Sequence, residues 1–255
     1  MGTTVDECVD LDRYPVLDPD GTALAAVVDG ARAQLRDTGA VELTGFLTPS
    51  GIAALVADAD GLAGRAHHSA GEGTAYLEFP DFSLPDDHPR LTWGHYAVGA
   101  VPYDLMPGTS LLRRLYEWEP LRALVEGVLD RGPVHRYADP FGALNLAVMH
   151  EGDELQWHFD QTDFVVSLAI QTADHGGHFE VYPRKMCIRD RPGPTRRLAS
   201  SSGTRQSTPT TEVPAVAMSG RSSPVPTPNR IVGVPGCEDS RSAKRRRVAG
   251  STSSP

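Results

Sequence analysis

The chain has 255 residues, 40% of them hydrophobic, which is enough for one sizeable globular core. Its formal net charge of −9 averages two unlike parts, because residues 185–255 carry 13 Lys/Arg and 4 Asp/Glu, whereas residues 1–184 carry 11 and 29. The N-terminus lacks an apolar signal core, and no stretch reaches the roughly 18 apolar residues that a membrane span needs. These features exclude a membrane-spanning class, and we expect a soluble cytoplasmic protein without a membrane partner.

The first half of the chain shows helical patterns around one strand. Residues 22–39 have apolar side chains at helical spacing and end in Gly39, a common helix stop. Residues 40–47 alternate between apolar and polar, as strands do. Residues 48–69 open with Thr-Pro, which favours a helix start, and predict a second helix.

The patterns change to strands further along the chain. "TAYLEF" and "WGHYAVGAV" predict short strands within residues 73–106, and residues 110–132 predict a helix interrupted at Pro120. Strand-like runs then follow, including "ALNLAVMHEG", "LQWHFDQTDFVVSLAIQ" and "HFEVYP". This order predicts N-terminal helices followed by an antiparallel sandwich or barrel.

Residues 185–255 differ from the rest in composition. They contain 12 Ser, 7 Thr and 9 Pro and no aromatic residue, so we predict a disordered, low-complexity tail next to a domain at residues 1–184. "KMCIRDR" at the junction resembles the translation of a transposon end used in preparing sequencing libraries, which indicates a non-native tail. The alternative is a nuclear interaction protein acting through "AKRRRV", but we expect no nucleic-acid partner.

"HFD" at residues 158–160 is the segment with metal-binding chemistry. On a strand, His158 and Asp160 would point to the same side, and an imidazole and a carboxylate so placed can bind one divalent metal ion. Two histidines and one carboxylate form the facial triad of non-haem iron(II) oxygenases. The tripeptide alone is a weak signal, because His178 and Glu180 have the same spacing.

The longer context is more specific. The stretch "GDELQWHFDQTDFVVSLAIQ" resembles the iron(II)/2-oxoglutarate oxygenases that hydroxylate or halogenate free amino acids, the BesD/HalD-type halogenases and their hydroxylase relatives. The resemblance extends upstream through "VELTGFLTPSGIAALVADA" and "LRRLYEWEPLRALV", so it covers most of residues 10–183. It implies a mainly β double-stranded β-helix, or jelly roll, with flanking N-terminal helices.

The resemblance also implies roles for individual residues. His158 and Asp160 would be catalytic iron ligands, and 2-oxoglutarate and O2 would be cosubstrates. Halogenases have glycine in place of Asp160, so the family chemistry matched here is hydroxylation. The distal histidine and the arginine that binds 2-oxoglutarate should lie beyond Pro183, where the chain has no suitable match. The jelly roll would then be incomplete at its C-terminal side and the chain impaired in activity.

Three further expectations are less direct. Asn145 and Tyr137 are candidates for contacting 2-oxoglutarate or substrate, although sheet packing and a strand-edge hydrogen bond are the simpler explanation for both. Gln156 or Asp163 would orient the ring of His158. The acidic first part suits a basic amino acid as substrate. A cupin-like binding module without redox turnover is the alternative function.

Overall fold

The structure is a computed structural model that describes residues 2–160 and 162–173 and the backbone of residues 215–220 and 231–235. The "HFEVYP" strand prediction, the His178–Glu180 pair and the region expected to hold the distal histidine all lie outside these residues. Among the helices described, none combines the length and apolar character needed to cross a membrane.

Five α-helices precede most of the sheet in the described part of the chain. The helix predicted at residues 22–39 is present and ends where Gly39 adopts a left-handed φ of 81°, as a glycine stop permits. The Thr48 hydroxyl accepts a hydrogen bond from the Gly51 N–H and caps the next helix. The helices are α1 Val5–Cys8, α2 Thr22–Thr38, α3 Pro49–Ala63, α4 Leu111–Glu117 and α5 Glu119–Leu129, with 3-10 turns at Pro89–Leu91 and Tyr103–Leu105.

The strands form one antiparallel sheet. The strands are β1 Ala40–Thr44, β2 His67–Thr74, β3 Trp93–Pro102, β4 Asn145–Val148, β5 Phe164–Ala169, β6 Ala215–Gly220 and β7 Ile231–Pro235. Their order in the sheet is β1-β6-β5-β7-β4-β3-β2, which places β2 at one edge and β1 at the other. Strands β2 and β3 form a long hairpin arm, from His67 opposite Ala100 to Thr74 opposite Trp93.

One face of the sheet packs against the helices. Alternate residues of the central strands, such as Val101, Leu146 and Leu168, are buried in the same core as Leu112 of α4 and Leu124 of α5. Because side chains alternate along a strand, the intervening residues point to the opposite face. The sheet therefore has a helix-covered face and an open face in the described part of the chain.

Three predicted elements differ from the structure. The helix predicted to reach residue 69 ends at Ala63, because Gly64 and the following turn lead into β2 at His67. "TAYLEF" forms a turn after Thr74, and the strand precedes it instead. The strand predicted over residues 155–171 is confined to β5, Phe164–Ala169, so the His158–Asp160 segment is not part of it.

Two segments of the predicted tail are strands in the structure. Ala215–Gly220 and Ile231–Pro235 pair on both sides of β5. Disorder of residues 185–255 as a whole stays a prediction. The proposed domain boundary at residues 184 and 185, and the non-native origin of the tail, stay predictions.

The fold combines helices with an antiparallel sheet, so the description "mainly β" gives too little weight to the helical layer. The helical layer was predicted as a flank, and the antiparallel sheet was predicted from the strand spacing. A jelly roll is consistent with this arrangement, and the double-stranded β-helix stays a prediction.

Candidate metal and cofactor site

The loop that carries the predicted ligands is held against the β2–β3 arm. The Ala97 N–H donates to the Glu154 carbonyl at 2.7 Å, and the Phe159 N–H donates to the Ala75 carbonyl at 2.8 Å. The segment from Glu154 to the start of β5 is therefore held by single hydrogen bonds and does not form a regular strand. The prediction that His158 and Asp160 share a strand face is therefore wrong, and their proximity arises from the loop.

His158 and Asp160 nevertheless converge. The His158 Nε2 lies 3.7 Å from the Asp160 Oδ1. Each donor of a first-row metal lies about 2.0–2.2 Å from the ion, so two donors of one ion are at most about 4.3 Å apart. The observed separation is within that limit, and the two groups can share an ion.

The other ring nitrogen of His158 has a partner in the backbone. Its Nδ1 lies 2.8 Å from the Gln156 carbonyl oxygen, so the Nδ1–H donates and leaves the Nε2 lone pair free to face Asp160. Gln156 was one of two residues predicted to orient this ring. The backbone carbonyl of Gln156, and not its side chain, makes the bond, which no sequence pattern indicates.

The carboxylate of Asp160 lies in a partly desolvated position. Burial raises the pKa of Asp160 above its ordinary value, and the nearby His158 opposes this shift. The side chains of His158 and Asp160 remain 22% and 32% exposed, so the pair sits in a recess open to solvent. A divalent cation there would compensate the carboxylate and favour its charged form.

A pair of glycines makes room for the loop. Gly73 and Gly94 lie opposite each other in the β2–β3 arm, and the Gln156 side chain lies over them. A Cβ at Gly94 would stand 2.4 Å from the Gln156 Oε1 and 2.8 Å from its Cβ. The arm can therefore accept Gln156 only because these positions lack side chains. Sequence reasoning missed this glycine pair, because Gln156 lies 62 residues after Gly94 along the chain.

An aromatic contact holds the outer side of the loop. The Phe159 ring packs on Tyr76 with centroids 4.9 Å apart, and the Arg90 guanidinium lies 5.3 Å from the centroid of the Tyr76 ring. Arg90 also pairs with Glu78. These contacts place the segment after β2 beside the His158–Asp160 pair, and neither Tyr76 nor Glu78 was singled out from the sequence.

The two predicted cofactor-binding residues lie at separate places. Asn145 begins β4 opposite Gly233, and Gly233 lies opposite Ser167 of β5, so Asn145 points to the open face. Tyr137 packs against the core from the loop before β4, with its ring next to Gly142. Assignment of either residue to 2-oxoglutarate or substrate stays a prediction.

A second group of possible metal ligands lies elsewhere on the sheet. The ligand atoms of His68, His150 and Asp153 are all within 4.8 Å of one another. None of the three was predicted as a ligand. Their sequence separations follow no short motif, because His68 reaches the other two across strand pairing.

Comparisons with known proteins give a limited result. No family model matches the chain, and no curated protein matches it. Among solved structures, the non-heme alpha ketoglutarate dependent epimerase SnoN from nogalamycin biosynthesis is similar at a TM-score of 0.46 and 16% identity, covering 83% of this chain and 84% of that chain. SnoN in complex with Fe3+, alpha ketoglutarate and nogalamycin RO gives a TM-score of 0.45 with the same identity and coverage.

Proposed function

We propose that this chain is a non-haem iron(II)/2-oxoglutarate-dependent oxygenase that hydroxylates an unactivated C–H bond of a free amino acid. The observation that carries the proposal is the 3.7 Å approach of the His158 Nε2 to the Asp160 Oδ1, with the His158 Nδ1 bonded to a backbone carbonyl. The two donors are close enough for one ion to contact both, and the backbone carbonyl fixes the imidazole tautomer that leaves Nε2 available. The sequence resemblance over residues 10–183 agrees with it.

The chain's own residues have separate tasks in this proposal. His158 and Asp160 hold the ion, Gln156 orients the imidazole, and β5 supplies the rigid strand that follows the loop. Fe(II) with 2-oxoglutarate supplies oxygen activation, in which one atom of O2 enters succinate, CO2 is released, and the other atom becomes the product hydroxyl. Asn145, on the open face, is proposed to contact 2-oxoglutarate or substrate, and Tyr137 to contribute from the preceding loop.

The choice of substrate rests on weaker support. The resemblance points to free amino acids, and the excess of 29 acidic over 11 basic residues in positions 1–184 favours a cationic ligand such as a basic amino acid. Asp160 is present where the halogenase relatives have glycine, so hydroxylation is proposed in place of halogenation. A cytoplasmic location is part of the same proposal.

The remaining parts of such a site fall outside the described residues. The resemblance expects the third ligand and the 2-oxoglutarate-binding arginine beyond Pro183, where we propose that the native sequence is interrupted. Sequencing the genomic locus across codons 184–192 tests this directly. We expect a corrected reading frame that encodes a histidine followed by an arginine. An unchanged frame in independent genomic reads would overturn the proposed interruption.

Cofactor binding tests the function itself. Anaerobic addition of Fe(II) and 2-oxoglutarate to the verified full-length protein should give a metal-to-ligand charge-transfer absorption band, because 2-oxoglutarate would chelate the bound ion. The His158→Ala and Asp160→Ala variants should lose the band, while His67→Ala, an exposed position on the β2–β3 arm, should keep it. A band of equal strength in all variants would contradict the assignment of the ligands.

Oxygen consumption separates this proposal from the cupin-like alternative. The verified full-length protein should consume O2 in a manner that depends on 2-oxoglutarate and increases with a free amino acid. A protein that binds Fe(II) at His158 and Asp160 but neither binds 2-oxoglutarate nor consumes O2 would support the binding module and overturn the oxygenase.

A further inference from the structure

We propose that His68, His150 and Asp153 form a second metal site, which binds a divalent transition metal ion of the Zn²⁺ class. The site lies where the start of β2 meets the turn after β4. It is independent of the oxygenase proposal, because it shares no residue with the His158–Asp160 pair.

Both histidines place a ring nitrogen close to the same carboxylate oxygen. The His68 Nε2 lies 3.0 Å from the Asp153 Oδ2, and the His150 Nδ1 lies 3.4 Å from the same oxygen. Donors of one zinc ion are each about 2.0–2.2 Å from it, so neighbouring donors in a tetrahedral site are about 3.3–3.5 Å apart. Two imidazoles and one carboxylate, with water in the remaining position, are a common donor set for zinc.

The turn that carries two of the ligands is preorganised. The Asp153 N–H donates to the His150 carbonyl at 3.0 Å, and the His150 N–H donates to the Asp153 carboxylate at 2.8 Å. Gly152 has a φ of 86°, a left-handed conformation that costs glycine little and brings Asp153 back toward His150. The carboxylate is therefore held in place without help from a metal ion.

The third ligand, His68, lies on β2 and is separated from the other two by strand β3. His68 lies opposite Gly99 of β3, and Gly99 lies opposite Val148 of β4, two residues before His150. From this register the imidazole of His68 reaches across β3 to Asp153, with its Nε2 3.0 Å from the Asp153 Oδ2. The neighbouring His67 lies opposite Ala100 and points to the other face of the sheet.

Charge and exposure also suit a cation. The Asp153 carboxylate accepts a hydrogen bond from the His150 N–H and lies within hydrogen-bond distance of the His68 ring. The carboxylate is 11% exposed, whereas the His68 and His150 side chains are 44% and 71% exposed. An anion held under two accessible imidazoles offers an entry path for an ion from solvent.

The site would join an edge strand to the rest of the sheet. Strand β2 has β3 as its neighbour in the described sheet and none on its other side. An ion bound by His68 and the turn would add a second connection, from β2 across β3 to the turn after β4. Because it binds the folded chain, the ion should raise thermal stability by mass action.

Calorimetric titration with Zn²⁺ tests the proposal. The full chain is stripped with a chelator and carries His158→Ala and Asp160→Ala, so that no ion is attributable to that pair. We expect one Zn²⁺ ion per chain and an increase in melting temperature. His68→Gln and His150→Gln should each weaken binding at least about 10-fold and remove the thermal shift, as loss of a ligand requires.

His67→Gln is the matched control, since it removes a histidine from the same strand but from the opposite face. It should keep the affinity and the thermal shift of the parent. Circular dichroism of the metal-free variants shows whether each is folded. The hydrogen bonds within the turn join His150 and Asp153, so replacing His68 leaves them in place. Absence of Zn²⁺ binding by the parent, or equal affinity in the His68→Gln and His67→Gln variants, would show that the cluster is a hydrogen-bonded surface group only.

Discussion

The two ends of the β2–β3 arm carry the same kinds of residue in opposite environments. Six residue steps along β2 separate His68 from Thr74, a distance of about 20 Å at the rise of a strand. At one end Asp160 is partly desolvated and its pKa is raised. At the other end Asp153 accepts several hydrogen bonds and its pKa is lowered. Asp153 is 11% exposed and Asp160 is 32% exposed, so the hydrogen-bond partners of each carboxyl, more than its exposure or residue type, distinguish the two sites.

The largest expected effect is a double dissociation between these ends. Asp160→Asn should weaken Fe(II) binding about 100-fold or more, because a charged ligand is lost. It should leave Zn²⁺ binding by His68, His150 and Asp153 unchanged. Asp153→Asn should have the reverse effect. Titration of each variant with both ions measures this, and loss of both activities in either variant would mean that the two ends form one site.

A smaller effect is expected from a substitution in the glycine pair, Gly73 and Gly94, beneath the Gln156 side chain. Gly94→Ala places a methyl group where the Gln156 side chain lies, so Gln156 must shift and the His158 ring loses its orientation. We expect Fe(II) affinity to fall about 10-fold with the Zn²⁺ site unaffected, the size of effect that loss of an orienting partner gives.

Gly61→Ala is the control for that substitution. Gly61 lies within α3, and no atom lies within 4 Å of the position its Cβ would take. Its alanine variant should bind both ions as the parent does. Equal Fe(II) affinity in Gly94→Ala and Gly61→Ala would contradict the claim that the placement of the Gln156 side chain orients His158.

The aromatic contact beside the loop should have a modest effect on stability. Phe159→Leu removes the tilted ring contact with Tyr76 while keeping an apolar side chain. The free energy of unfolding should fall by about 0.5–1.5 kcal/mol, the usual value of such a pair. Urea unfolding of the metal-free chain measures it, and an unchanged midpoint would show that the ring contact does not anchor the loop.

The smallest effect is a difference in pH dependence between the two carboxyl groups. In the metal-free chain, the Asp153 pKa is lowered, so its contribution to stability is present above pH 3.8 and is lost as pH falls through the folded-state pKa. The Asp160 pKa is raised, so its contribution is present below pH 3.8 and is lost as pH rises through the folded-state pKa. Carboxyl NMR titration should show Asp153 below and Asp160 above this value, and the opposite order would contradict the burial argument.

The sequence predicted local features better than long-range ones. The α2 helix, its stop at Gly39 and the Thr48 cap follow from a few neighbouring residues, and the structure confirms them. The break between α4 and α5 occurs beside Pro120, as predicted, with Trp118 as the residue between the two helices. Each of these depends on the chemistry of one turn of backbone.

The candidate sites depend on contacts that a local pattern does not encode. His158 and Asp160 were recognised as a pair, but the strand alternation used to place them together was wrong. Their proximity depends on hydrogen bonds to Ala75 and Gln156. The proposed zinc site depends on the pairing of His68 with Gly99 in the β2–β3 ladder, and no short sequence motif predicts that pairing. Strand register is fixed by the packed fold, so neither arrangement was available from sequence spacing.

The most direct test of the central claim is a titration of the ¹⁵N-labelled full chain with Mn²⁺, a paramagnetic stand-in for Fe(II), followed by amide NMR. If His158 and Asp160 bind one ion, the amide signals of Gln156 and Phe159 should broaden first, and His158→Ala/Asp160→Ala should abolish the broadening. Unbroadened signals at both residues in the parent, or equal broadening in the variant, would contradict the account.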